Sequence, residues 1–203
     1  TLFAVPGNMV EQFARDYLRL YPAARVITPR DTDRDSLREF AARVATGDYD
    51  AAICSHNAVK KIPLHPHTQA RQIEARIDEL VTTDETATLN RRAARNMEKQ
   101  IAKLREQLTA LNDAAIDTTI TYWDQIRVGM FFVDEAHLAK NIALNTKREG
   151  LPMPTASQLA EAILARADLV RQTNGAAAVV MATATPITNS PAEMWVAARL
   201  VAP

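Results

Sequence analysis

The chain has 203 residues, 47% of them apolar, with 24 basic against 24 acidic side chains, so it can bury a sizeable core and carries no net charge. A neutral chain has no global field to gather nucleic acid, and any such contact must be a local patch. The one cysteine, Cys54, excludes an internal disulfide or a thiolate metal site. No apolar run nears the ~20 residues of a membrane helix, and Thr1-Leu2-Phe3-Ala4-Val5 lacks a basic leader, so a cytoplasmic protein without a membrane partner is expected.

Residues 2–5 read as a short buried strand on which the chain opens directly, without an initiator methionine, as in a piece of a longer protein. Pro6-Gly7-Asn8 turns it. Asn8 and Glu11 have capping-box spacing for a helix bearing Val10, Phe13, Ala14, Tyr17 and Leu18 on one face and ending at Pro22. Residues 25–28 form a second strand candidate. Leu37, Phe40, Ala41 and Val44 mark another helix, which Gly47 suits as a stop. Residues 50–55 are a third, nearly all apolar strand. Strands alternating with helices, without internal polar alternation, predict a mainly parallel sheet covered on both faces, a three-layer α/β sandwich.

The rhythm breaks at Pro63. Ile73, Ile77, Leu80 and Val81 recur at helical spacing, and Thr82 with Glu85 offers a second capping box. Leu89, Ala93, Met97, Ile101, Leu104, Leu108 and Leu111 then make a heptad-like seam of roughly 25 residues, about 40 Å of helix. The first helix is acidic (Glu74, Asp78, Glu79). The second opens basic, with Arg91, Arg92, Arg95, Lys99, Lys103 and Arg105. An antiparallel helical hairpin is predicted over 64–115, inserted within a single lobe spanning 1–203. It reads as a charge-paired arm stabilised by its own seam, or as an arm that grips nucleic acid or docks a protein partner, and the two are compatible.

After the arm, residues 120–126 read as a short helix leading into a strand at Phe131. Residues 141–154, with Gly150, Pro152 and Pro154, read as a loop. Leu159, Ala162, Ile163, Ala167, Leu169 and Val170 mark a helix stopped near Gly175, followed by a strand over 177–182. Ser190, Pro191 and Glu193 start a last helix, to about residue 201.

The chemistry concentrates at two strand ends. Phe131-Phe132-Val133 runs into Asp134-Glu135-Ala136-His137, and in a parallel sheet ligands bind beyond the carboxyl ends of the strands. Mg2+ prefers oxygen and needs only one or two carboxylates beside substrate phosphates. Asp134 is therefore expected to hold Mg2+ through water, Glu135 to orient or deprotonate an attacking water, and His137 to connect them to the turn where Thr183, Thr185 and Asn189 crowd around Pro186. Surface or capping roles are the alternative for each, but Ser190 already caps the following helix, and the extra threonines need another reason. The pattern points to the motor core of a nucleic-acid-dependent ATPase. His65-Pro66-His67 has no third ligand in view and reads as a loop. Lys60 and Lys61 could touch a phosphate backbone or simply be solvated.

Taken together, these residues resemble the first RecA-like lobe of a superfamily 2 helicase in its Swi/Snf-like branch. Asp134-Glu135-Ala136-His137 is similar to the Walker B (DEAH) motif, Leu138-Ala139-Lys140-Asn141 to the extension that follows it, and Thr183-Ala184-Thr185-Pro186-Ile187 with Asn189 to motif III. The segment from Val5 to Phe13 is similar to motif Ia. There the resemblance implies nucleic-acid contacts by Pro6 and Asn8, and by Ser55 and His56 at the end of the third strand. It also implies DNA, double-stranded, as partner, Mg2+ and ATP as cofactors of the longer parent, and a second RecA-like lobe with an arginine finger beyond Pro203. The wording of the segments looks closest to the helicase and DNA-methylase-like proteins of phages and plasmids, some linked to antirestriction. The rival reading is a non-catalytic scaffold that binds DNA or protein through its arm.

Two departures matter. Ala184 stands where the family has glycine. No Gly-x-x-x-x-Gly-Lys-Ser/Thr phosphate loop occurs in these residues, and the family's P-loop strand would precede Thr1. Without that cradle, phosphate binding loses its main donors. Residues 1–203 alone are therefore expected to hold no cofactor tightly and to hydrolyse no ATP. Isothermal titration calorimetry is expected to give a dissociation constant of about 1 mM or weaker, and a micromolar constant would contradict this.

Overall fold

The computed structural model describes residues 1–85, 91–113, 115–139 and 157–185, together with Ala198. The chain divides into two compact units, Thr1–Pro63 with Ile120–Pro203, and Leu64–Thr119.

Among the described residues the larger unit has five strands: β1 (Leu2–Val5), β2 (Val26–Ile27), β3 (Ala51–Ser55), β4 (Phe131–Val133) and β5 (Val179–Met181). They form one wholly parallel sheet in the order β2-β3-β1-β4-β5. The architecture is mixed α/β, as the alternating pattern predicts. β3 is buried at every position because it lies between β2 and β1 with both faces covered, which is why its sequence shows no polar alternation. The register sets Ala4 opposite both Cys54 and Val133, so the carboxyl ends of the three inner strands come level. Burial pushes the Cys54 thiol up to about 12, which makes it an inert core residue.

One sheet face is covered by α1 (Val10–Leu20). Phe3 meets the rings of Phe13 at 5.2 Å and Tyr17 at 5.6 Å, and Val10 and Ala14 join the cluster around Val5, Ala51 and Ile53. Leu2, Ala4, Phe131 and Val133 alternate to the other face. There the buried Trp123 packs edge-on against Phe131 at 5.5 Å, and Arg166 of α6 (Gln158–Asn174) stacks over the indole at 5.4 Å. α2 (Arg34–Thr46) is capped by Asp33, whose carboxylate accepts the amides of Asp35 and Ser36.

Several elements differ from expectation. Asn8 caps nothing: Gly7–Met9 form a 3-10 turn and α1 begins after it without a side-chain cap. Leu18 falls off the apolar face and is exposed. Gly47 stops α2 with φ −92, not in the left-handed region. Its need for glycine is steric, because a Cβ there would run into the Tyr49 ring and the Arg43 carbonyl. The helix expected over 120–126 is only a 3-10 turn, Trp123–Gln125, since Trp123 is committed to the core. Residues 56–61, to which the sequence assigns no element, form α3 (His56–Lys61), capped by Ser55 through the Ala58 amide at 3.1 Å. The loop over 141–154, the turn from Pro186 and the helix from Ser190 lie outside the described residues.

The smaller unit holds α4 (Pro66–Glu85) and α5 (Arg91–Asp113), which pack on each other. Met97, Ile101, Leu104, Leu108 and Leu111 are half-buried, and every other described residue of α5 is exposed, so the seam lies where the spacing put it. Leu89 lies outside the described residues, and Ala93 is described only in its backbone. Thr82 starts no second helix: α4 runs past it, and its hydroxyl donates back to the Asp78 carbonyl at 2.8 Å. His65 and His67 stack at 5.2 Å at the start of α4.

Arg166 joins α6 to α3. Its guanidinium is buried and donates to the carbonyls of Ile62, Lys60 (3.4 Å) and Ala162 (2.9 Å), so it satisfies the C-terminal end of α3. Burial lowers its pKa to about 10, which leaves it charged at neutral pH. Replacing it by methionine, of similar reach but without donors, should cost about 2–4 kcal/mol, because buried carbonyls lose their partners. Lysine should recover little, having no planar fork. Urea midpoints of the two variants check this, and a midpoint unchanged in Arg166→Met would contradict it.

Candidate functional site

The site is built where β4 ends. The Asp134 amide donates to the Ala4 carbonyl at 2.9 Å, carrying the β1–β4 pairing one residue past the strand. On the other side, Ala182 donates to Val133 and Ala136 donates to Ala182, each at 2.8 Å. Glu135 lies between these two ties. It is the one non-glycine residue of positive φ among the described residues, at 47°. That conformation costs an L-residue roughly 1–2 kcal/mol and persists only where the surroundings over-determine it. The chain then closes a 3-10 turn, Ala136–Ala139, with the Leu138 amide on the Glu135 carbonyl at 3.0 Å.

The side chains converge on one imidazole. His137 Nδ1 lies 3.0 Å from Glu135 Oε2 and 3.3 Å from Thr183 Oγ1. An ionised carboxylate can only accept, so Nδ1 carries the proton and is shared between the two oxygens. Thr183 Oγ1 also accepts the Thr185 amide at 3.1 Å, which forms the turn after β5. Glu135 and His137 are partly exposed, with 41% and 30% of their side chains accessible, so a solvent molecule can reach the carboxylate. Asp134 is half-buried beside them. His137 thus meets the side chains of Glu135 and Thr183, and Thr185 joins through its backbone amide, while Asp134 enters by its backbone. Asn189, Lys140 and Asn141 lie outside the described residues.

The residues expected to touch nucleic acid separate into two groups. Pro6 and exposed Asn8 follow β1, beside the end of β3. Ser55 and His56 are buried, 6% and 4% exposed, and their side chains are spent internally. Ser55 caps α3, and His56 Nε2 donates to the Asp134 carbonyl at 2.7 Å. Neither side chain is presented to solvent, where a phosphate backbone would lie. Lys61 donates to the Thr32 carbonyl at 2.7 Å and Lys60 is half-buried, so these lysines sit on a helix and not on a solvated loop. Sequence reading did not find the internal role of His56. The signal was available in a histidine following a helix-capping serine at the end of a wholly apolar strand. Burial lowers the His56 pKa, opposed by its bond to Asp134, so the ring is neutral at neutral pH.

Asp134 offers a hard carboxylate oxygen at a strand end, the donor that Mg2+ takes when most of its shell is water and phosphate. Among the described residues no group of three or more His, Cys, Asp or Glu could form a protein-only metal cage. No described helix is long and apolar enough to cross a membrane.

The mixed α/β architecture with its five-stranded parallel sheet is consistent with a RecA-like, P-loop NTPase-like fold. The chain belongs to a helicase-domain family: the family model described as "Probable helicase domain" matches residues 2–203. No curated protein and no solved structure matches it.

Proposed function

We propose that this lobe is the first motor lobe of an ATP-driven DNA translocase or helicase of the Swi/Snf-like branch. The observation that carries the reading is the meeting of Glu135, His137 and Thr183 on one ring nitrogen. A scaffold has no use for a strained acid held in contact with the turn of the neighbouring strand. A motor needs such a link, because the state of the nucleotide must be passed from the hydrolytic acid to the part that moves.

In this reading Asp134 would hold the Mg2+ that accompanies ATP. The ion, when bound with ATP, neutralises charge on the transferring phosphoryl group. Glu135 orients the attacking water and accepts its proton. His137, by holding one carboxylate oxygen, leaves the other for that water. The chain's Pro6, Asn8 and Lys60 remain for contact with double-stranded DNA, with Lys61 anchored to Thr32. This reading calls for a phosphate loop and for a second lobe with an arginine finger to complete the nucleotide site. The wording of the motifs further favours a helicase and DNA-methylase-like parent of a phage or plasmid with an antirestriction role.

In the full-length protein, Glu135→Gln should lower DNA-stimulated kcat by about 100-fold or more, the range of a lost general base. The KM for ATP and the affinity for DNA should stay within about threefold. Chelation of Mg2+ should abolish turnover in the wild type. The check is steady-state ATP hydrolysis with and without double-stranded DNA, alongside circular dichroism. Wild-type turnover in the folded Glu135→Gln variant, or none in the wild type, would favour a scaffold that works through α4 and α5.

A further inference from the structure

We propose that His56 is a positioning residue for the acid pair. Its imidazole fixes the peptide between Asp134 and Glu135 and so holds Glu135 in the left-handed conformation that turns its carboxylate to His137. The kinetic consequence rests on the function proposed above, while the geometric one does not.

Three hydrogen bonds over-determine the strained residue. The Asp134 amide is tied to Ala4 and the Ala136 amide to Ala182, both through backbone carbonyls of the neighbouring strands. The third tie, from His56 Nε2 to the Asp134 carbonyl at 2.7 Å, is the one made by a side chain. Asp134 O belongs to the same peptide plane as the Glu135 amide, so its direction sets φ at Glu135. Releasing it allows that plane to rotate and Glu135 to leave φ 47. The two backbone ties do not depend on side-chain identity short of proline, so His56 is where a side-chain change can loosen this geometry.

His56 is itself held rigidly. It is 4% exposed and opens α3 directly after the capping Ser55, while Arg166 secures the carbonyls at the far end of that helix. A group that must hold a peptide plane needs such fixity, whereas a nucleic-acid contact needs exposure. The engaged donor and the burial therefore favour positioning over binding.

The test compares His56→Leu, which fills the ring's space without a donor, with His56→Gln, whose amide nitrogen can take the place of Nε2. In the full-length protein, Leu is expected to lower kcat for DNA-stimulated ATP hydrolysis about tenfold, with KM for ATP and DNA affinity within about twofold. Gln is expected to recover most of the loss. A wild-type kcat in His56→Leu, a loss confined to DNA affinity, or a Gln variant no better than Leu while both are folded, would each overturn the proposal. Should His56→Leu not fold, the pair becomes His56→Gln and His56→Asn, whose shorter amide does not reach Asp134, and the same outcomes apply. Crystal structures of the variants give a readout independent of turnover. Glu135 is expected to leave the left-handed region in Leu (or Asn) and to keep it in Gln. An unmoved Glu135 still on His137 in the donor-less variant would overturn the proposal even if the wild type hydrolyses no ATP.

Discussion

The hydrogen bond from the Asp134 amide to the Ala4 carbonyl extends the central β1–β4 pairing beyond the end of β4. It fixes the point at which the chain leaves the sheet, and the chemistry of the lobe is arranged from that point. With the Ala136–Ala182 bond on the opposite side, it leaves one residue, Glu135, between two fixed neighbours, and that residue is left-handed. A glutamate there has its carboxylate aimed by the backbone and not by a flexible side chain. The strain, roughly 1–2 kcal/mol, is small against the burial of the inner strands, and the surrounding pairing can sustain it. Because parallel strands share a register, the same pairing brings the β5 end, and so Thr183, within reach of His137.

The packing beneath the sheet serves the same edge. Phe131, Trp123 and Arg166 form a stack from β4 to α6, and Arg166 continues from it to the last carbonyls of α3. A cation buried without a bidentate carboxylate partner is costly, and here the planar guanidinium is compensated by carbonyl dipoles and an indole face. α3 is only six residues long, too short to be stable alone, so its position depends on Ser55 at one end and Arg166 at the other. It thereby keeps His56 against the acid turn while Lys60 and Lys61 mark its opposite end.

Much of this was legible because the signals were local. The strands at Leu2, Val26, Ala51, Phe131 and Val179 show as apolar runs bounded by turn residues, and the α5 seam shows as a heptad pattern. The acid pair was legible because strand ends in parallel sheets are where ligands bind. What was not legible depended on partners distant in sequence. Asn8 has capping spacing yet falls in a 3-10 turn, because the chain must first clear the end of β1. Residues 120–126 read as a short helix, but the buried Trp123 and the hydrogen bond from its amide to the Pro63 carbonyl hold them in a single turn. His56 looked like a surface contact because its acceptor, a backbone carbonyl at Asp134, has no signature in the sequence. Arg166 sits on the apolar stripe of α6 with Ile163, Ala167 and Val170, a visible anomaly whose explanation lies at α3.

That same Trp123–Pro63 bond bears on how the larger unit accommodates a long insertion. The chain departs at Pro63 and returns at Ile120, and the Trp123 amide meets the Pro63 carbonyl at 2.8 Å. The two ends of the excursion are thus stitched together within the larger unit, by a bond that does not depend on what lies between them. Closing a loop costs free energy that grows only with the logarithm of its length, so a closed base tolerates an arm of almost any size. The arm in turn has its own apolar seam along α5 packed on α4, which supplies its own order. The register of β1 with β4, and with it the acid turn, is therefore specified by residues 1–63 and those after 120. The sequence of the arm is left free to vary without disturbing that register.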